Sequence, residues 1–283
     1  MTYVIHGATG AQGAPVVSAL TAAGEPVVAL TRRADADVTG ARVIATDLSS
    51  VEALTEVYRG AAGVFVHLPM ASEELRLDYA RNIAAAVAKA RPARVVISTS
   101  GATGASAAGE GEDPVAVLIR GVADTGVSHA VAAPRLFLEN LLLPPVLEGV
   151  RADAVLRYPL DADQPISWAS HLDVADAVAA LFARPEVTGV VEVGHHPALT
   201  GSLLAEGFAA HFGTQVTYQA LTPADFGAAL TPLFGEVAAA GVAEHYRLLG
   251  EVPDHAIEPG RSAQQLLGTE CRTVGEWLAA VGV

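Results

Sequence analysis

A glycine-rich turn near the start of the chain constrains the fold more than any other feature. The turn reads Gly7-Ala8-Thr9-Gly10-Ala11-Gln12-Gly13, with an apolar run before it (Tyr3–Ile5) and a helical pattern after it (Ala14–Ala23). Gly7 permits a tight turn, Gly10 lets the backbone approach a pyrophosphate, and Gly13 lets the helix pack closely on the strand. The start of the helix offers N–H groups and the positive end of its dipole to phosphates. The motif in this context predicts a dinucleotide-binding turn, and a turn without a ligand is the alternative.

The first half of the chain alternates short apolar runs with helical patterns. The apolar runs are Tyr3–Ile5, Pro26–Leu30, Arg42–Ala45, Gly63–His67, Arg94–Ser98 and His129–Ala132, and the helical patterns are Ala14–Ala23, Val51–Tyr58, Glu74–Ala90 and Pro114–Thr125. Continuous runs of Val, Ile and Ala are typical of strands buried on both faces of a parallel sheet. The strand–helix order predicts right-handed crossovers and therefore an α/β fold with a doubly wound parallel sheet of the Rossmann type.

A change of pattern near Pro144-Pro145 predicts a second, smaller part of the chain. The segments beyond it are an irregular stretch (Arg151–Trp168), a helix (Asp173–Ala183), a short strand (Val190–Val193) and helical patterns over Ser202–Phe212 and part of Ala263–Val281. We expect a dinucleotide-binding Rossmann domain over residues 1–149 and a smaller, mixed C-terminal substrate lobe over 150–283. Part of that lobe, about 172–193, is expected to return to the Rossmann core.

Composition excludes several classes of function. The 283 residues include 17 basic and 31 acidic side chains, a formal net charge of −14, which argues against a nucleic-acid partner. A single cysteine, Cys271, excludes an intrachain disulfide framework and a cysteine-based metal cluster. An apolar strand directly after Met1 leaves no room for a signal peptide, and no apolar run approaches the ~18 residues of a membrane span. We therefore expect a cytoplasmic protein that acts on a small molecule away from the membrane; its oligomeric state is left open.

The end of the second predicted strand indicates which dinucleotide binds. A site for NAD places an acidic residue about 20 residues beyond the glycines, where it binds the ribose 2′-hydroxyl. Here the strand ends in Leu30-Thr31-Arg32-Arg33, and the first carboxylate is Asp35. Two guanidinium groups in an acidic protein suit a 2′-phosphate, which they can bind bidentately. The pattern favours NADPH over NADH, and a solvated surface pair is the alternative.

Several segments together resemble the NmrA-like family of atypical short-chain dehydrogenases/reductases. They are the GATGAQG turn, Thr31-Arg32-Arg33, Asp47-Leu48, Val95–Ser100, Pro134–Asn140, Trp168–Leu181 with Asp173 and Asp176, and the ending Leu266-Leu267-Gly268…Arg272-Thr273…Trp277. In Pro134–Asn140 the family's Arg and Pro are exchanged. The family includes quinone reductases, isoflavone-reductase-like enzymes and redox-sensing regulators.

The resemblance implies a set of NADP(H)-binding residues. By this resemblance, Gly7, Thr9, Gly10, Gln12 and Gly13 hold the phosphates, Arg32 and Arg33 meet the 2′-phosphate, Asp47 and Leu48 border the adenine, and Leu68 and Pro69 flank the ribose and nicotinamide.

The catalytic pair of many relatives is missing from the sequence. A Tyr-x-x-x-Lys pair lowers the pKa of the tyrosine for proton transfer to a carbonyl. The sole lysine here is Lys89, with Ala85 four residues before it, and the position where some relatives carry a catalytic lysine falls at or near Val115. Reduction of ordinary ketones is therefore unexpected. A quinone or enone remains possible, because it delocalises the incoming electrons and can take its proton from solvent.

Polar groups near the carboxyl ends of the predicted strands are the candidates for supporting such an acceptor. They are His67, Ser100 in the segment Ser98-Thr99-Ser100, and Arg135. Each has a structural alternative: His67 as a packed strand residue, the serines as partners of the backbone, and Arg135 as the partner of Glu139. His195 and His196 are adjacent and would point to opposite sides of an extended chain, and no other spacing of metal ligands occurs. No Gly-x-Ser-x-Gly elbow occurs either, so the sequence has no sign of a hydrolase triad.

The sequence therefore predicts an NADPH-dependent oxidoreductase of a quinone, an enone or a similar conjugated carbonyl. Two alternatives stay open at this point. One is a non-enzymatic redox sensor that binds NADP(H), and the other is a non-redox cyclase or isomerase on the same fold.

Overall fold

The apolar runs of the first half form strands of one parallel sheet in the computed structural model, which describes residues 2–101 and 112–283. The strands are β1 (Thr2–Ile5), β2 (Val27–Thr31), β3 (Ala41–Ala45), β4 (Ala61–Val66), β5 (Val95–Ser98), β6 (His129–Pro134), β7 (Leu136–Phe137), β8 (Val155–Tyr158), β9 (Trp168–Ala169), β10 (Gly189–Val193) and β11 (Thr217–Ala220). The central sheet has the order β10-β6-β5-β4-β1-β2-β3, and every pairing in it is parallel. The prediction of a doubly wound parallel sheet is confirmed.

Helices follow most of the strands in the described residues, but β2 runs directly to β3, β6 to β7 and β8 to β9. The helices are α1 (Gly13–Ala22), α2 (Val51–Tyr58), α3 (Glu73–Ala90), α4 (Pro114–Asp124), α5 (Pro144–Asp153), α6 (His171–Ala183), α7 (Gly201–Phe212), α8 (Pro223–Phe234), α9 (Glu236–Glu251), α10 (Ala263–Leu267) and α11 (Val274–Val281), with 3₁₀ turns at Leu138–Leu142 and Pro259–Arg261. None of the helices in these ranges is both long and apolar enough to cross a membrane.

The strand order reverses beside β1, and this reversal places the site. The chain runs from β1 outward through β2 to β3, then returns to pair β4 with the other side of β1. In open α/β sheets, ligands bind outside the carboxyl ends of the strands at such a switch point. The switch point here lies where β1 runs into the glycine-rich turn and β4 runs into His67.

The described residues divide into two compact units. Unit 1 comprises Met1–Pro134, His171–Val193 and Glu258–Thr269, and it contains the seven-stranded sheet. Its strands pack against α2, α3 and α4 through a buried core that includes Val64, Ile83 and Leu118. The division into a binding domain (1–149) and a substrate lobe (150–283) stays a prediction; residue 1 and residues 102–111 lie outside the described part.

Unit 2 comprises Arg135–Ser170, Gly194–Ile257 and Glu270–Val283. It contains two small parallel sheets, β8 with β11 and β7 with β9, and the helices α5, α7, α8, α9 and α11. Its core includes Tyr158, Trp168, Phe208 and Trp277, all almost fully buried. The expectation of a mixed α/β lobe is met by this content.

The prediction of an irregular stretch over Arg151–Trp168 was wrong. The segment contains the last turn of α5, the strand β8 and the first residue of β9. Pro144 and Pro145, where the sequence predicts a change of pattern, begin α5, because proline is well tolerated in the first turn of a helix. The helices α8 and α9 are not predicted from the sequence; they form a helical hairpin around Gly235, which has a positive φ of 78°.

Candidate functional site

The glycine-rich turn is held tightly to the end of β1. Gly7 has a positive φ of 57°, Gly10 N donates to Gly7 O at 2.7 Å, and Ala8 N donates to Leu30 O at 3.1 Å. A Cβ on Gly13 would collide with the backbone of Gly7 and with the carbonyl oxygen of His6. Gly13 is therefore required for the close approach of α1 to β1, as the spacing of the motif predicts.

The outer part of the turn is open to a ligand. Thr9, Gly10 and Ala11 are exposed, and α1 begins without a side-chain N-cap from Gln12. The following helices differ: Ser50 caps α2, Ser72 caps α3 and Asp113 caps α4. Uncapped N–H groups at the start of a helix need an acceptor. A phosphate group fits this site, both in charge and in the space that the glycines leave.

His67 packs directly against the turn. A Cβ on Gly7 would meet the Nε2 atom of His67, so the imidazole occupies the space that a side chain at position 7 would need. His67 Nε2 is buried and has no hydrogen-bond partner in the part of the chain that the structure describes. Burial lowers the pKa of His67 below its usual value. The ring is therefore neutral near pH 7.

Beneath the turn, His6 forms a buried pair with Tyr58 at the end of α2. His6 Nε2 and Tyr58 Oη are 2.6 Å apart, and neither residue is exposed to solvent. Burial, with a contribution from the nearby His67, lowers the pKa of His6 to about 3. The same two causes lower the pKa of His171, the first residue of α6, to about 4. These histidines are neutral components of the fold near pH 7.

Gln12 connects the turn to the carboxyl end of β5. Ser98 Oγ donates to Gln12 Oε1 at 2.7 Å, and Gln12 Nε2 donates to Ser100 Oγ at 2.9 Å. Ser100 N donates to Ser98 Oγ at 3.2 Å, which holds Ser100 in a left-handed conformation with φ 59°. Such a conformation is uncommon for serine and needs support from its surroundings. The side chain of Gln12, which the family resemblance assigned to the phosphates, is committed to the two serines.

The two arginines at the end of β2 differ from each other. Arg33 forms an ion pair with Asp35, with Nε 3.2 Å from Oδ1, and both side chains are largely exposed. Arg32 is also exposed, and it makes no ion pair in the described ranges. Of the two predicted ligands of a 2′-phosphate, Arg32 is the one whose charge is uncompensated.

The remaining predicted cofactor residues lie at the same edge of the central sheet. Asp47 is exposed after β3, and its Oδ1 accepts from Ser49 N at 2.9 Å. The carbonyl oxygen of Leu48 accepts from Asn82 Nδ2 at 3.2 Å, which ties this loop to α3. Leu68 is buried after β4, and Pro69 is half-buried.

The other candidates fall outside this group. Arg135, the third candidate for catalysis, is the first residue of unit 2. Lys89 lies on α3 with Nζ 3.6 Å from Glu52 Oε1, and both side chains are exposed. No cluster of three potential metal ligands occurs within the described residues. The two ring nitrogens of His195 lie within hydrogen-bond distance of carbonyl oxygens, those of Trp168 and Arg272.

A family model decides the classification. The model of the NmrA-like family matches residues 1–278, nearly the whole chain. The chain belongs to the NmrA-like family. Comparison with curated protein sequences finds no significant match.

Solved structures of several different enzymes share the fold of this NmrA-like protein. An NADPH-dependent quinone oxidoreductase from Escherichia coli, complexed with NADPH, has a TM-score of 0.76 and 24% identity, with 100% of each chain covered. A triphenylmethane reductase from Citrobacter sp., complexed with NADP(H), has a TM-score of 0.78 and 18% identity, covering 99% of this chain and 100% of that one. A nucleoside-diphosphate-sugar epimerase from Staphylococcus aureus has a TM-score of 0.77 and 17% identity, covering 98% and 99%. At these identities the likeness establishes the fold and not the substrate.

Two elements of the site of this NmrA-like protein could not be found from the sequence. The buried pair of His6 and Tyr58 joins residues 52 positions apart, and the contacts of Gln12 with Ser98 and Ser100 span 86 and 88 positions. The sequence signal that could have pointed to the first pair is a histidine directly before the glycine turn, where the strand is otherwise apolar. For the second, the only signal is the position of two serines at the end of β5.

Proposed function

We propose that the protein is an NADPH-dependent reductase of a quinone, an enone or a similar conjugated carbonyl. The observation that carries the proposal is the uncapped glycine turn at the switch point, hydrogen-bonded through Gln12 to Ser100 at the end of β5. Membership in the NmrA-like family and the NADPH bound to the quinone oxidoreductase of the same fold support it.

Each part of the cofactor would have a specific partner in unit 1. Gly7 to Gly13 would hold the pyrophosphate through backbone N–H groups, and Arg32 would bind the 2′-phosphate. The residues Asp47 and Leu48 would border the adenine, and Leu68 and Pro69 would flank the ribose and nicotinamide. Arg33 would add less than Arg32, because its charge is already paired with Asp35. When bound, NADPH supplies a hydride.

The chain's own polar groups would then support the acceptor. Ser100 would donate a hydrogen bond to the oxygen on which negative charge develops. Arg135, the candidate that belongs to unit 2, stays a prediction from the sequence. His67, whose Nε2 packs against Gly7 at the end of β4, would contribute a neutral imidazole beside the ligand. Because burial keeps His67 neutral, it would act as a hydrogen-bonding group and not as a cationic acid.

The lack of a Tyr-Lys pair favours acceptors that need no proton during hydride transfer. A simple ketone becomes an alkoxide, which must be protonated as it forms, whereas a quinone or enone becomes a stabilised anion that solvent can protonate later. Lys89 is exposed and paired with Glu52, so it does not replace the missing lysine.

A screen of NADPH consumption tests the proposal. Wild-type protein is incubated with NADPH and with aliphatic ketones, enones or quinones, and the absorbance of reduced nicotinamide is followed. We expect fast consumption with quinones or enones and slow consumption with ketones. Fast ketone reduction would reveal an unrecognised acid. Tight NADPH binding without consumption by any acceptor would favour the redox sensor, and turnover without an absorbance change would favour the non-redox enzyme.

A further inference from the structure

We propose that Gln12 is a positioning residue that fixes the direction of the Ser100 hydroxyl, so that its proton points to the substrate. The inference rests on the proposed function. It adds the reason why the Ser100 hydroxyl would donate its proton to the substrate. It concerns the side chain of Gln12, which is separate from the backbone of the glycine turn that would meet the phosphates.

The burial of Ser98 decides the orientation of the Gln12 amide. Ser98 is 2% exposed, and its Oγ already accepts from Ser100 N. Its hydroxyl proton therefore needs an acceptor, and within the described residues Gln12 Oε1 at 2.7 Å is that acceptor. The opposite orientation of the amide would place an N–H₂ group against Ser98 and leave the proton of its hydroxyl without a partner.

This orientation sets the direction of the next hydrogen bond. An amide nitrogen can only donate, so Gln12 Nε2 donates to Ser100 Oγ at 2.9 Å. Ser100 Oγ thus accepts from Gln12, and its own proton has no acceptor in the part of the chain that the structure describes. The hydrogen bonds run in one direction, from Ser98 through Gln12 to Ser100, and each polarises the next.

The backbone of Ser100 leaves the buried environment of β5. Ser98 is buried, whereas Ser100 is half-buried after the chain turns into the left-handed region at φ 59°. The bond from Ser100 N to Ser98 Oγ stabilises this turn at 3.2 Å. The hydroxyl of Ser98 therefore has two roles: it accepts from the backbone of Ser100, and it donates to the amide of Gln12.

The substitution Gln12→Glu tests the direction of the hydrogen bond. The introduced carboxylate has the shape of the amide, but it only accepts, so it would draw the proton of Ser100 away from the substrate. At saturating NADPH we expect kcat for the quinone or enone to fall roughly 10- to 1,000-fold, the range for a lost oxyanion donor. Activity should recover in part at acid pH, because a protonated carboxyl can again donate to Ser100. The wild type should show no such rise on the acid side.

Matched variants separate positioning from structure. In a Ser100→Ala background, Gln12→Glu should cause no further loss of kcat, because the hydroxyl that it would reverse is absent. Gln12→Met keeps the length of the side chain without any hydrogen bond, and it should lose less activity than Gln12→Glu because it does not reverse the hydroxyl. Circular dichroism confirms that each variant is folded. Calorimetry with NADPH separates a weaker cofactor affinity from a lower kcat.

A readout without cofactor or substrate tests the hydrogen bonds themselves. In NMR spectra of the free protein, the side-chain amide protons of Gln12 should exchange slowly with water, and in Ser100→Ala one of them should exchange faster.

Wild type that consumes no NADPH with any acceptor overturns the proposed function. Active wild type with an unchanged kcat in Gln12→Glu, or with an equal loss in the Ser100→Ala background, overturns the role of Gln12. Equal amide exchange in wild type and Ser100→Ala overturns the hydrogen bond on which it depends.

Discussion

Gln12 Nε2 lies 2.9 Å from Ser100 Oγ and donates a hydrogen bond to it across 88 positions of sequence. The bond joins the glycine-rich turn after β1 to the carboxyl end of β5, although β4 separates these two strands in the sheet. A group that would lie beside the cofactor and a group that would face the substrate are therefore parts of one hydrogen-bonded network. A change in the turn should alter turnover as well as cofactor affinity.

Gly10→Val should abolish dinucleotide binding in a protein that remains folded. Gly10 is exposed, and a Cβ there would lie 3.2 Å from Gly7 O, a tight contact that requires a shift of only a few tenths of an ångström. A branched side chain would occupy the space of the pyrophosphate. We expect the NADPH affinity to fall at least about 100-fold, or roughly 2.7 kcal/mol, by calorimetry.

Gly13→Ala is the matched control, because it should damage the fold. The added Cβ would collide with the backbone of Gly7 and His6, and overpacking of this kind costs roughly 1–3 kcal/mol. Urea denaturation should therefore show a lower free energy of unfolding for Gly13→Ala than for Gly10→Val. Unchanged NADPH affinity in folded Gly10→Val would contradict the assignment of the turn.

Arg32→Ala should remove most of the preference for NADPH over NADH. The Arg32 charge is uncompensated within the described residues, and a charge-assisted hydrogen bond contributes roughly 1.5–3 kcal/mol. We expect the affinity for NADPH to fall about 10- to 150-fold per lost bond, with little change for NADH. Arg33→Ala, which removes a guanidinium already paired with Asp35, should have a smaller effect. Equal binding of both cofactors by wild type would refute the argument for the 2′-phosphate.

The sequence predicts the sheet of unit 1 well because its signals are local. Buried parallel strands are continuous apolar runs, and glycine or capping residues mark the ends of the helices, so α2 has the predicted bounds of Val51–Tyr58. Unit 2 lacks such signals. β8 alternates buried and half-buried residues, β11 is mostly exposed, and α8 contains Pro232. Short strands of two-stranded sheets and alanine-rich helices leave no distinct pattern in the sequence.

In the candidate site, too, the sequence predicts features that depend on local spacing and not those that depend on three-dimensional packing. The roles of the glycine turn and of the arginines after β2 can be predicted from the sequence because they depend on local spacing. The ion pair that distinguishes Arg33 from Arg32 is a property of side-chain conformation. The direction of the Ser100 hydroxyl depends on the burial of Ser98, which only the three-dimensional packing reveals.

Lys89→Ala should leave catalysis intact. Lys89 Nζ is 3.6 Å from Glu52 Oε1, and both side chains are more than half exposed. Exposed ion pairs of this kind contribute about 0–1 kcal/mol, so the free energy of unfolding should change little. Steady-state kinetics with the best acceptor from the screen should give a kcat within about twofold of wild type. A large loss of kcat would show that the sole lysine takes part in proton transfer after all.

The stability of the protein should fall below pH 6.5, with His6 as a principal cause. The pKa of His6 is about 3 in the folded protein against 6.5 when unfolded. Above pH 6.5 both states carry neutral imidazole. As the pH falls toward 3, only the unfolded state gains the proton, so folding loses free energy at about 1.4 kcal/mol per pH unit. His171, with a folded pKa of about 4, should add a similar loss over a narrower range.

Urea denaturation between pH 7.5 and 4.5 should separate this effect from that of the carboxylates. His6→Gln keeps a polar group near the Tyr58 hydroxyl but cannot titrate, so its stability should decline with pH less steeply than that of wild type, by roughly 2–3 kcal/mol over the range. Tyr58→Phe is the control: it removes the 2.6 Å hydrogen bond and leaves the histidine in place. Burial raises the Tyr58 pKa far above this range, so Tyr58→Phe should lower stability without flattening its pH dependence. Parallel curves for wild type and His6→Gln would show that His6 takes up its proton while the protein is still folded.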